Sequence, residues 1–258
     1  MIRFIPGIAV VLFSGIAALP PQVTASADSA PRQKVILVEL FTSEGCSSCP
    51  PADALLSQIN GTQPGPGELI VGISEHVTYW NSLGWRDPFS SAIYTDRQNL
   101  YASRFGLDSV YTPQMVVNGG EQFVGSDKAS LVAALRKERS ISSSLDLRIL
   151  SLNIDGDVLN VKFSAVGDAS AKGASIVAVL ADDLAQSSVQ RGENSGRTLS
   201  HVAVALSLQP VAKLQATATQ AVRISLPPSL RMSSGHHLIL FAQATDSGRI
   251  LGADSKPL

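Results

Sequence analysis

The chain has 258 residues, a hydrophobic fraction of 45% and a formal net charge of −1. This composition favours a packed globular protein and excludes an intrinsically disordered chain. Charged residues of one sign form no long run, which argues against binding to nucleic acid or to an anionic membrane surface. The length is sufficient for two domains, each with a core of its own.

The N-terminal residues 1–27 have the pattern of a secretory signal peptide. Arg3 supplies a positive start, residues 4–19 are largely apolar, and Ala25-Ser26-Ala27 offers small residues around a cleavage point. The apolar stretch is broken by Pro6-Gly7 and is shorter than a comfortable membrane span. We therefore expect a soluble mature chain, secreted or periplasmic, without a stable membrane anchor after cleavage. An uncleaved N-terminal anchor is the alternative.

Both cysteines of the chain lie in the motif Cys46-Ser47-Ser48-Cys49. The motif follows an apolar run at residues 35–41 and precedes a helical pattern, which places a thiol near a helix N-terminus, where the helix dipole favours thiolate. A second thiol so near can resolve a mixed disulfide, whereas a stapling role favours cysteines that close long loops. We therefore predict a redox-active pair in an oxidising compartment. An inert local disulfide and a metal site are the alternatives.

The first half of the chain, residues 28–142, alternates strand-like and helix-like segments. Continuous apolar runs are typical of buried parallel strands, and an Asn-Gly-Gly turn at residues 118–120 predicts a hairpin. Gly106 is a stop signal for one helix, and Asp127 is a cap for another. The predicted order is β-α-β-α-β-β-α, with strands at 35–41, 69–73, 115–117 and 121–124 and helices at 53–59, 91–105 and after Asp127.

The second half, residues 143–258, changes to a period of two. Leu159, Val161 and Phe163 alternate with polar residues after an Asp-Gly turn. Several short strands that are separated by turns favour an antiparallel β-sandwich. The further predicted strands lie near residues 176–180, 202–206, 222–226 and 238–242.

The first half resembles the thioredoxin superfamily in its shorter glutaredoxin-like form, in which the strand before the CxxC motif comes first. The second signature is the run Tyr111-Thr112-Pro113-Gln114-Met115-Val116-Val117. In that superfamily a cis-proline opens the strand facing the CxxC motif, and the residue before it pairs with the backbone of a bound peptide. The resemblance implies a four-stranded α/β domain in which Pro113 is the cis-proline and Thr112 the peptide-pairing residue.

The whole chain also resembles a bacterial family of secreted proteins known as domain of unknown function 1223. The segments that carry this resemblance are 38–46 (VELFTSEGC), 49–53 (CPPAD), 75–80 (EHVTYW), 83–89 (LGWRDPF) and 192–194 (GEN). It implies the same thioredoxin-like architecture and no particular substrate.

The chain departs from the thioredoxin pattern before the motif. Gly45 stands where many thioredoxins have an aromatic residue. Their buried acid falls six positions before the first cysteine, where this chain has Leu40; the acid, Glu39, is one position further back. A one-residue bulge would bring Glu39 beneath the thiols, where a desolvated carboxylate could shuttle the Cys49 proton. A structural hydrogen bond for Glu39 is the alternative.

The chain also departs from the pattern after the motif, where Pro50-Pro51 follows directly. Proline suits the first positions of a helix but disfavours helical geometry in the residue before it. We therefore expect the helix to begin nearer Cys49 than Ser47. This start would leave Cys46 less acidic, because the thiol feels less of the helix dipole.

Three further features near the motif have a functional and a structural interpretation. His76 follows the second predicted strand and could hydrogen-bond the Cys46 thiolate or bind a metal with it, although a structural histidine is the commoner case. Trp80 and Trp85 lie in a long connection and either form a peptide-binding wall or pack that connection onto the sheet. The polar loop at residues 191–197 could dock on the redox domain or on a partner, but its composition favours a solvated turn.

The leading hypothesis is a secreted or periplasmic thiol–disulfide oxidoreductase that acts on protein or small-molecule thiols and disulfides and needs no cofactor. Cys46 attacks, Cys49 resolves, and Thr112 and Pro113 align the partner; Glu39 and His76 are the further candidate site residues. One alternative is a Cu(I) chaperone with Cys46, Cys49 and His76 as ligands. The other is a partner-binding module with a structural CxxC disulfide.

Overall fold

The structure is a computed structural model, and it describes residues 1–2, 33–167, 171–215, 219–228, 230 and 235–258. The chain divides into two compact units, Met1–Pro31 and Arg32–Leu258. The predicted signal peptide, residues 1–27, lies almost entirely outside the described residues. The second unit holds all of the described helices and strands. No described helix is both long and apolar enough to cross a membrane.

Three helices and eleven strands make up the described part of the second unit. In chain order they are β1 (Lys34–Thr42), α1 (Pro50–Ile59), β2 (Glu68–His76), α2 (Ala92–Phe105), β3 (Gln114–Val117), β4 (Glu121–Val124), α3 (Lys128–Ser140), β5 (Leu145–Asp155), β6 (Val158–Gly167), β7 (Ser175–Ser188), β8 (Thr198–Lys213), β9 (Thr219–Ser225), β10 (His236–Gln243) and β11 (Ile250–Pro257). The predicted boundary between residues 142 and 143 falls between α3 and β5.

Local signals set three of the helix ends, and the sequence predicted two of them, the Gly106 stop and the Asp127 cap. The Ser91 hydroxyl caps α2 by accepting the N–H of Ile93. Gly106 ends that helix with a left-handed φ of 65°, a conformation that glycine adopts without strain. Asp127 caps α3 by accepting the N–H groups of Ala129 and Ser130.

Eight strands form one mixed sheet in the order β11-β10-β7-β8-β2-β1-β3-β4, and the remaining three described strands form a second sheet in the order β5-β6-β9. β1 and β2 are parallel, whereas β1 and β3 are antiparallel. β8 joins the two halves of the chain, because it pairs antiparallel with β7 and parallel with β2 at Ser74 and Val204.

The large sheet curls, so that its terminal strand β11 lies against β1. The N–H of Ile250 at the start of β11 donates to the carbonyl of Asn118 after β3 (2.9 Å). Because strand side chains alternate between faces, every second residue of these strands points into the curl. This interior contains Val35, Leu37, Val71, Ile73, Tyr94, Val177, Val179, Ala181, Ala205, Leu208, Ile239, Phe241, Ile250 and Ala253.

The outer face of the sheet is covered by two layers. Helices α1 and α3 pack over β1, β2 and β3 through Leu40, Leu55, Leu56 and Leu131, among others. The three-stranded sheet packs over β7 and β10 in a second core that includes Phe163. The cysteine motif lies at the N-terminus of α1, so it belongs to the outer face.

The predicted fold class, a four-stranded thioredoxin-like α/β domain followed by an antiparallel β-sandwich, is wrong. The first seven elements do follow the predicted order, but β2 is not an edge strand, because β8 pairs with it and extends the sheet to β11. The second half gives four strands to the large sheet, and β5, β6 and β9 alone form the second. An open edge on β2 would leave backbone groups unpaired. The strand that pairs with this edge, β8, lies more than one hundred residues later in the sequence.

Candidate functional site

The cysteine pair lies where β1 gives way to α1. Cys46 and Cys49 are joined by a disulfide, with their Cα atoms 5.4 Å apart. The Cys49 carbonyl accepts the N–H groups of Ala52 (2.8 Å) and Asp53 (3.1 Å), so Cys49 caps the helix and Cys46 precedes it. The predicted helix start near Cys49 is therefore confirmed. Both cysteines are 0% exposed.

A loop from the second half of the chain, residues 189–197, covers this pair and is called the covering loop below. Asn194 is 0% exposed and donates its side-chain amide to the carbonyls of Glu44 (2.9 Å) and Cys46 (3.0 Å). Its own side-chain oxygen accepts a hydrogen bond from Arg197 (2.8 Å). The prediction of a solvated turn was therefore wrong, since the loop docks on the dithiol segment.

Two neighbouring residues complete the contact of the covering loop. The Glu193 carboxylate accepts the N–H of Ser47 inside the CxxC motif (2.9 Å), and the side chain and N–H of Ser47 together hold the pKa of Glu193 below its usual value. Gly192 has a left-handed φ of 78°, and a Cβ there would lie 3.2 Å from the Cβ of Trp85. Glycine thus allows the loop to approach the connection between β2 and α2 closely.

Thr112 and Pro113 lie at the same end of the sheet as the cysteines. β3 is antiparallel to β1 and begins opposite Phe41, which places the preceding Thr112–Pro113 step beside the end of β1; the peptide bond between them is cis, as predicted. Trp80 links the two segments. Its indole N–H donates to the Thr112 hydroxyl (2.8 Å), and a Cβ on Gly45 would lie 3.0 Å from the Trp80 Cβ.

Glu44, two positions before the first cysteine, is the centre of a buried polar cluster. It is 0% exposed, and its carboxylate accepts hydrogen bonds from the Trp85 indole (2.8 Å) and the Ser187 hydroxyl. The same carboxylate lies 3.3 Å from Nε2 of His201. The Glu44 N–H donates to Asp87 (2.8 Å). Four segments of the chain therefore meet directly behind the dithiol.

His201 on β8 lies between two carboxylates. Its Nε2 faces Glu44 and its Nδ1 lies 3.5 Å from Oδ1 of Asp53 on α1. Burial alone would lower the pKa of His201, but the carboxylates of Asp53 and Glu44 outweigh it and raise the pKa to about 9. His201 is therefore an imidazolium cation at neutral pH, held inside the protein by two acidic groups.

His76 has a different partner from the predicted one. Its Nδ1 lies 2.7 Å from Oδ2 of Asp87, so the ring pairs with a carboxylate and not with the Cys46 sulfur. Its ring packs edge-on against His201, with centroids 4.6 Å apart. Burial alone would raise the pKa of Asp87. The lowering by His76 and by the N–H groups of Glu44 and Phe89 is larger, so the pKa of Asp87 lies below its usual value.

Glu39 lies away from the thiols. β1 pairs with both neighbours without a bulge at Glu39, so this side chain points into the curl, opposite to the face on which Leu40 meets α1. There it pairs with Arg97 and accepts the Tyr101 hydroxyl (2.6 Å). The bulge that would have brought Glu39 beneath the dithiol is absent, and the carboxylate belongs to a separate interior network.

The sequence analysis missed four charged residues of the cluster as site members: Glu44, Asp53, Asp87 and His201. Signals existed for some of them. Glu44 and Asp53 flank the cysteine motif in the printed sequence, and charged residues next to a buried strand and helix need partners. His201 alternates with Leu199 and Ala203 on β8, and all three are buried. No local pattern in the sequence shows which other segment of the chain the His201 side chain contacts.

Over the described parts of the chain, no group of three or more His, Cys, Asp or Glu side chains is arranged to hold a metal ion. The ligand set Cys46, Cys49 and His76 that the copper hypothesis requires is thus not assembled in this conformation. The arrangement instead brings a disulfide close to side chains that can gain or lose protons. A disulfide lies at a helix N-terminus, with an imidazolium and three carboxylates packed behind it.

Comparisons with known proteins agree on the fold. The chain is similar over 89% of its length to 96% of a protein from Agrobacterium tumefaciens, with 28% identity and a TM-score of 0.65. It is also similar over 88% of its length to 76% of HBP35 of Porphyromonas gingivalis, with 15% identity and a TM-score of 0.63, a likeness of fold alone. No curated protein matches the chain.

The family model described as a protein of unknown function, DUF1223, matches residues 37–243. The match runs from the middle of β1 through β10, so it contains the cysteine motif, the covering loop and every residue of the buried cluster. The chain therefore belongs to the DUF1223 family.

Proposed function

We propose that this protein is a thiol–disulfide oxidoreductase in which Cys46 and Cys49 exchange electrons with the thiols or disulfides of proteins or small molecules. The observation that carries the proposal is the closed Cys46–Cys49 disulfide at the N-terminus of α1, backed by buried ionisable groups. Burying several charges costs free energy that a packed apolar core would not, and ionisable groups with shifted pKa values concentrate at functional sites.

The roles of the two sulfurs differ in this proposal. Cys46 precedes the helix and Cys49 caps it, so Cys49 is held within the helix start, whereas Cys46 lies in the segment before it. The Ser48 hydroxyl lies 3.3 Å from Cys46 Sγ and stabilises a thiolate there by donating a hydrogen bond. Cys46 is then the attacking and attacked sulfur, and Cys49 the resolving one.

Access to Cys46 requires the covering loop to move, because the cysteine is 0% exposed while Asn194 holds its carbonyl. Thr112, Pro113 and Trp80 border the space beside the motif and would receive the partner once the loop has opened. Loops of this kind gate many active sites on microsecond to millisecond timescales. The loop thus selects for partners that displace it.

A secreted or periplasmic location is part of the proposal. A dithiol that rests as a disulfide is suited to an oxidising compartment. The pattern of residues 1–27 supports export.

One observation favours a second candidate function, in which the disulfide is an inert element of a partner-binding module. Complete burial of both cysteines is typical of structural rather than reactive cysteines. The two candidates differ in reduction potential, because structural disulfides of exported proteins resist reduction by glutathione.

The test is the reduction potential of residues 28–258, measured by equilibration in glutathione buffers and counting of alkylated thiols by mass. A midpoint between about −120 and −270 mV is expected for an exchange catalyst and gives the direction of electron flow. A disulfide that stays intact below about −300 mV would establish the structural role instead. The double variant Cys46→Ser/Cys49→Ser is the control and shows no mass change in any buffer.

A further inference from the structure

The polar cluster behind the disulfide contains a pair of groups without hydrogen bonds. Among the described residues, neither Nδ1 of His201 nor Oδ1 of Asp53 has a hydrogen-bond partner, although the two atoms lie 3.5 Å apart. The side chains are 1% and 6% exposed. The two side chains therefore form a buried ion pair in which Nδ1 of His201 faces the Asp53 carboxylate and no other acceptor of the described part of the chain, so that this carboxylate is the group to which the Nδ1 proton can pass.

Asp53 connects this pair to the second cysteine. It lies four residues after Cys49, at the spacing that puts two side chains on one face of a helix, and its N–H donates to the Cys49 carbonyl (3.1 Å). Asp53 therefore lies one helical turn from Cys49 on α1, with its carboxylate facing His201 of β8. His201 reaches this place through the packing of α1 against β8.

We propose that His201, acting through Asp53, donates a proton to the Cys49 sulfur when the disulfide opens and takes it back when the disulfide forms again. The proposal rests on the exchange function proposed above and names the residues that handle its proton. His201 is a positioning residue in this scheme, since it acts through Asp53 and does not touch the partner.

The reaction balances without any further reagent. A thiolate of the partner attacks Cys46 Sγ, the Cys46–Cys49 bond breaks, and its electron pair goes to Cys49 Sγ. The proton of His201 Nδ1 passes by way of the Asp53 carboxylate to that sulfur, which leaves a neutral Cys49 thiol and a neutral imidazole. A second thiolate of the partner then attacks the partner's sulfur in the mixed disulfide. This step releases a Cys46 thiolate and the oxidised partner, so that two electrons have passed to the protein.

The electrostatics of the cluster suit this transfer. A thiolate formed at the 0% exposed Cys49 would be strongly disfavoured by burial. His201, with a pKa of about 9, carries a proton at neutral pH and can supply the one that the buried Cys49 sulfur requires. The groups that face His201 are Glu44 from the β1–α1 connection, Asp53 from α1, and His76 from β2, itself paired with Asp87.

The test is the rate of reduction of the disulfide by dithiothreitol, followed by thiol alkylation between pH 6 and 10 and divided by the concentration of dithiothreitol thiolate. For the wild-type chain we expect this rate to be constant at low pH and to fall as His201 loses its proton near pH 9. His201→Gln is expected to react about 100-fold more slowly below pH 9 and to converge with the wild type above it. Asp53→Asn tests the same route on another element.

The control is His237→Gln, which changes a histidine that pairs with Asp183 on another part of the sheet; its rates should equal those of the wild type. Convergence at high pH supports the proposal, because a merely structural role would lower the rate equally at all pH values. The proposal is overturned if the pH–rate profile of every variant that folds runs parallel to that of the wild type, or if the rates of the variants equal the wild-type rates. Failure of the exchange function itself appears separately, as a wild-type disulfide that glutathione buffers leave intact.

Discussion

Glu193 and Ser47 are joined by a hydrogen bond of 2.9 Å, although 146 residues separate them in the sequence. The contact occupies a backbone N–H of the CxxC motif and places a carboxylate next to the residue that follows Cys46. Hydrogen bonds from the side chain and the backbone N–H of Ser47 lower the pKa of Glu193, which favours its charged form. Free N–H groups near a helix start stabilise a thiolate, whereas a neighbouring negative charge opposes it.

Glu193→Gln should lower the pKa of the Cys46 thiol in the reduced protein and shift the disulfide towards easier reduction. Glutamine keeps an acceptor for the Ser47 N–H and removes the charge alone. Because Glu193 is exposed, we expect a change of only about twofold in the thiol–thiolate equilibrium, diminished in about 1 M salt, where the Debye length is about 3 Å. The measurement is thiolate absorbance against pH.

Arg191→Gln is the matched control, since it alters the charge of the same loop by one unit in the opposite sense. Its effect on the thiol pKa should be opposite to that of Glu193→Gln, or absent. A Glu193→Gln protein whose thiol pKa stays unchanged at low salt would show that the contact is mechanical rather than electrostatic.

Asn194→Ala should expose the disulfide. The side chain makes two buried hydrogen bonds to the carbonyls of Glu44 and Cys46, and loss of a buried partner costs about 1–3 kcal/mol. If that free energy holds the covering loop closed, the rate at which glutathione opens the disulfide should rise about tenfold, since 1.4 kcal/mol corresponds to a factor of ten. Asn160→Ala, on the β6 hairpin, should leave this rate as it is; equal rates in both variants would mean that the loop does not limit access.

The stability of the oxidised protein should fall between about pH 6.5 and 9. The pKa of His201 is raised to about 9 in the folded chain from about 6.5 in the unfolded chain. The stabilisation is therefore complete below pH 6.5 and is lost as pH rises through 9, in total about 3 kcal/mol. Urea unfolding at several pH values measures it. His201→Gln should have a flatter profile across this window, and a profile as steep as that of the wild type would refute the assignment.

The sequence predicted local features well, because their causes are local. Ser91 and Asp127 cap helices through their own side chains, and Gly106 can adopt the left-handed conformation that ends α2. The proline pair at residues 50 and 51 occupies the first positions of α1, where proline is well tolerated, although Cys49 before it keeps helical dihedrals. Such signals lie within a few residues of the feature that they determine.

The pairing of distant strands has no such local signal. The apolar sequence of β2 predicts a buried strand, and it does so equally well for a four-stranded and for an eight-stranded sheet. The parallel contact with β8 at Ser74 and Val204 depends on a strand far along the chain. The same holds for the candidate site. The motif identified Cys46 and Cys49, but His201 and Asn194 reach them only because β8 enters the sheet beside β2 and brings both residues to the end of the sheet where the motif lies.

The interior network around Glu39 gives the last prediction, which concerns stability. Arg97 pairs with Glu39 and lies 3.5 Å from Glu75, at side-chain exposures of 8%, 0% and 0%, and burial raises the pKa of Glu75 well above its usual value, with the Glu39 charge adding to the effect. The guanidinium thus pairs with the Glu39 carboxylate, while burial and the Glu39 charge favour the neutral form of Glu75.

Arg97→Met should destabilise the protein by about 3–5 kcal/mol, because it leaves the Glu39 charge buried without a partner. Adding Glu39→Gln removes that charge, so the double variant should be more stable than the sum of the two single effects predicts. Arg139→Met is the control, as its partner Glu68 forms an ion pair at 43% and 15% side-chain exposure, for which about 0–1 kcal/mol is expected. Urea unfolding of the four variants decides the point, and strict additivity of Arg97→Met and Glu39→Gln would show that the pair is not coupled.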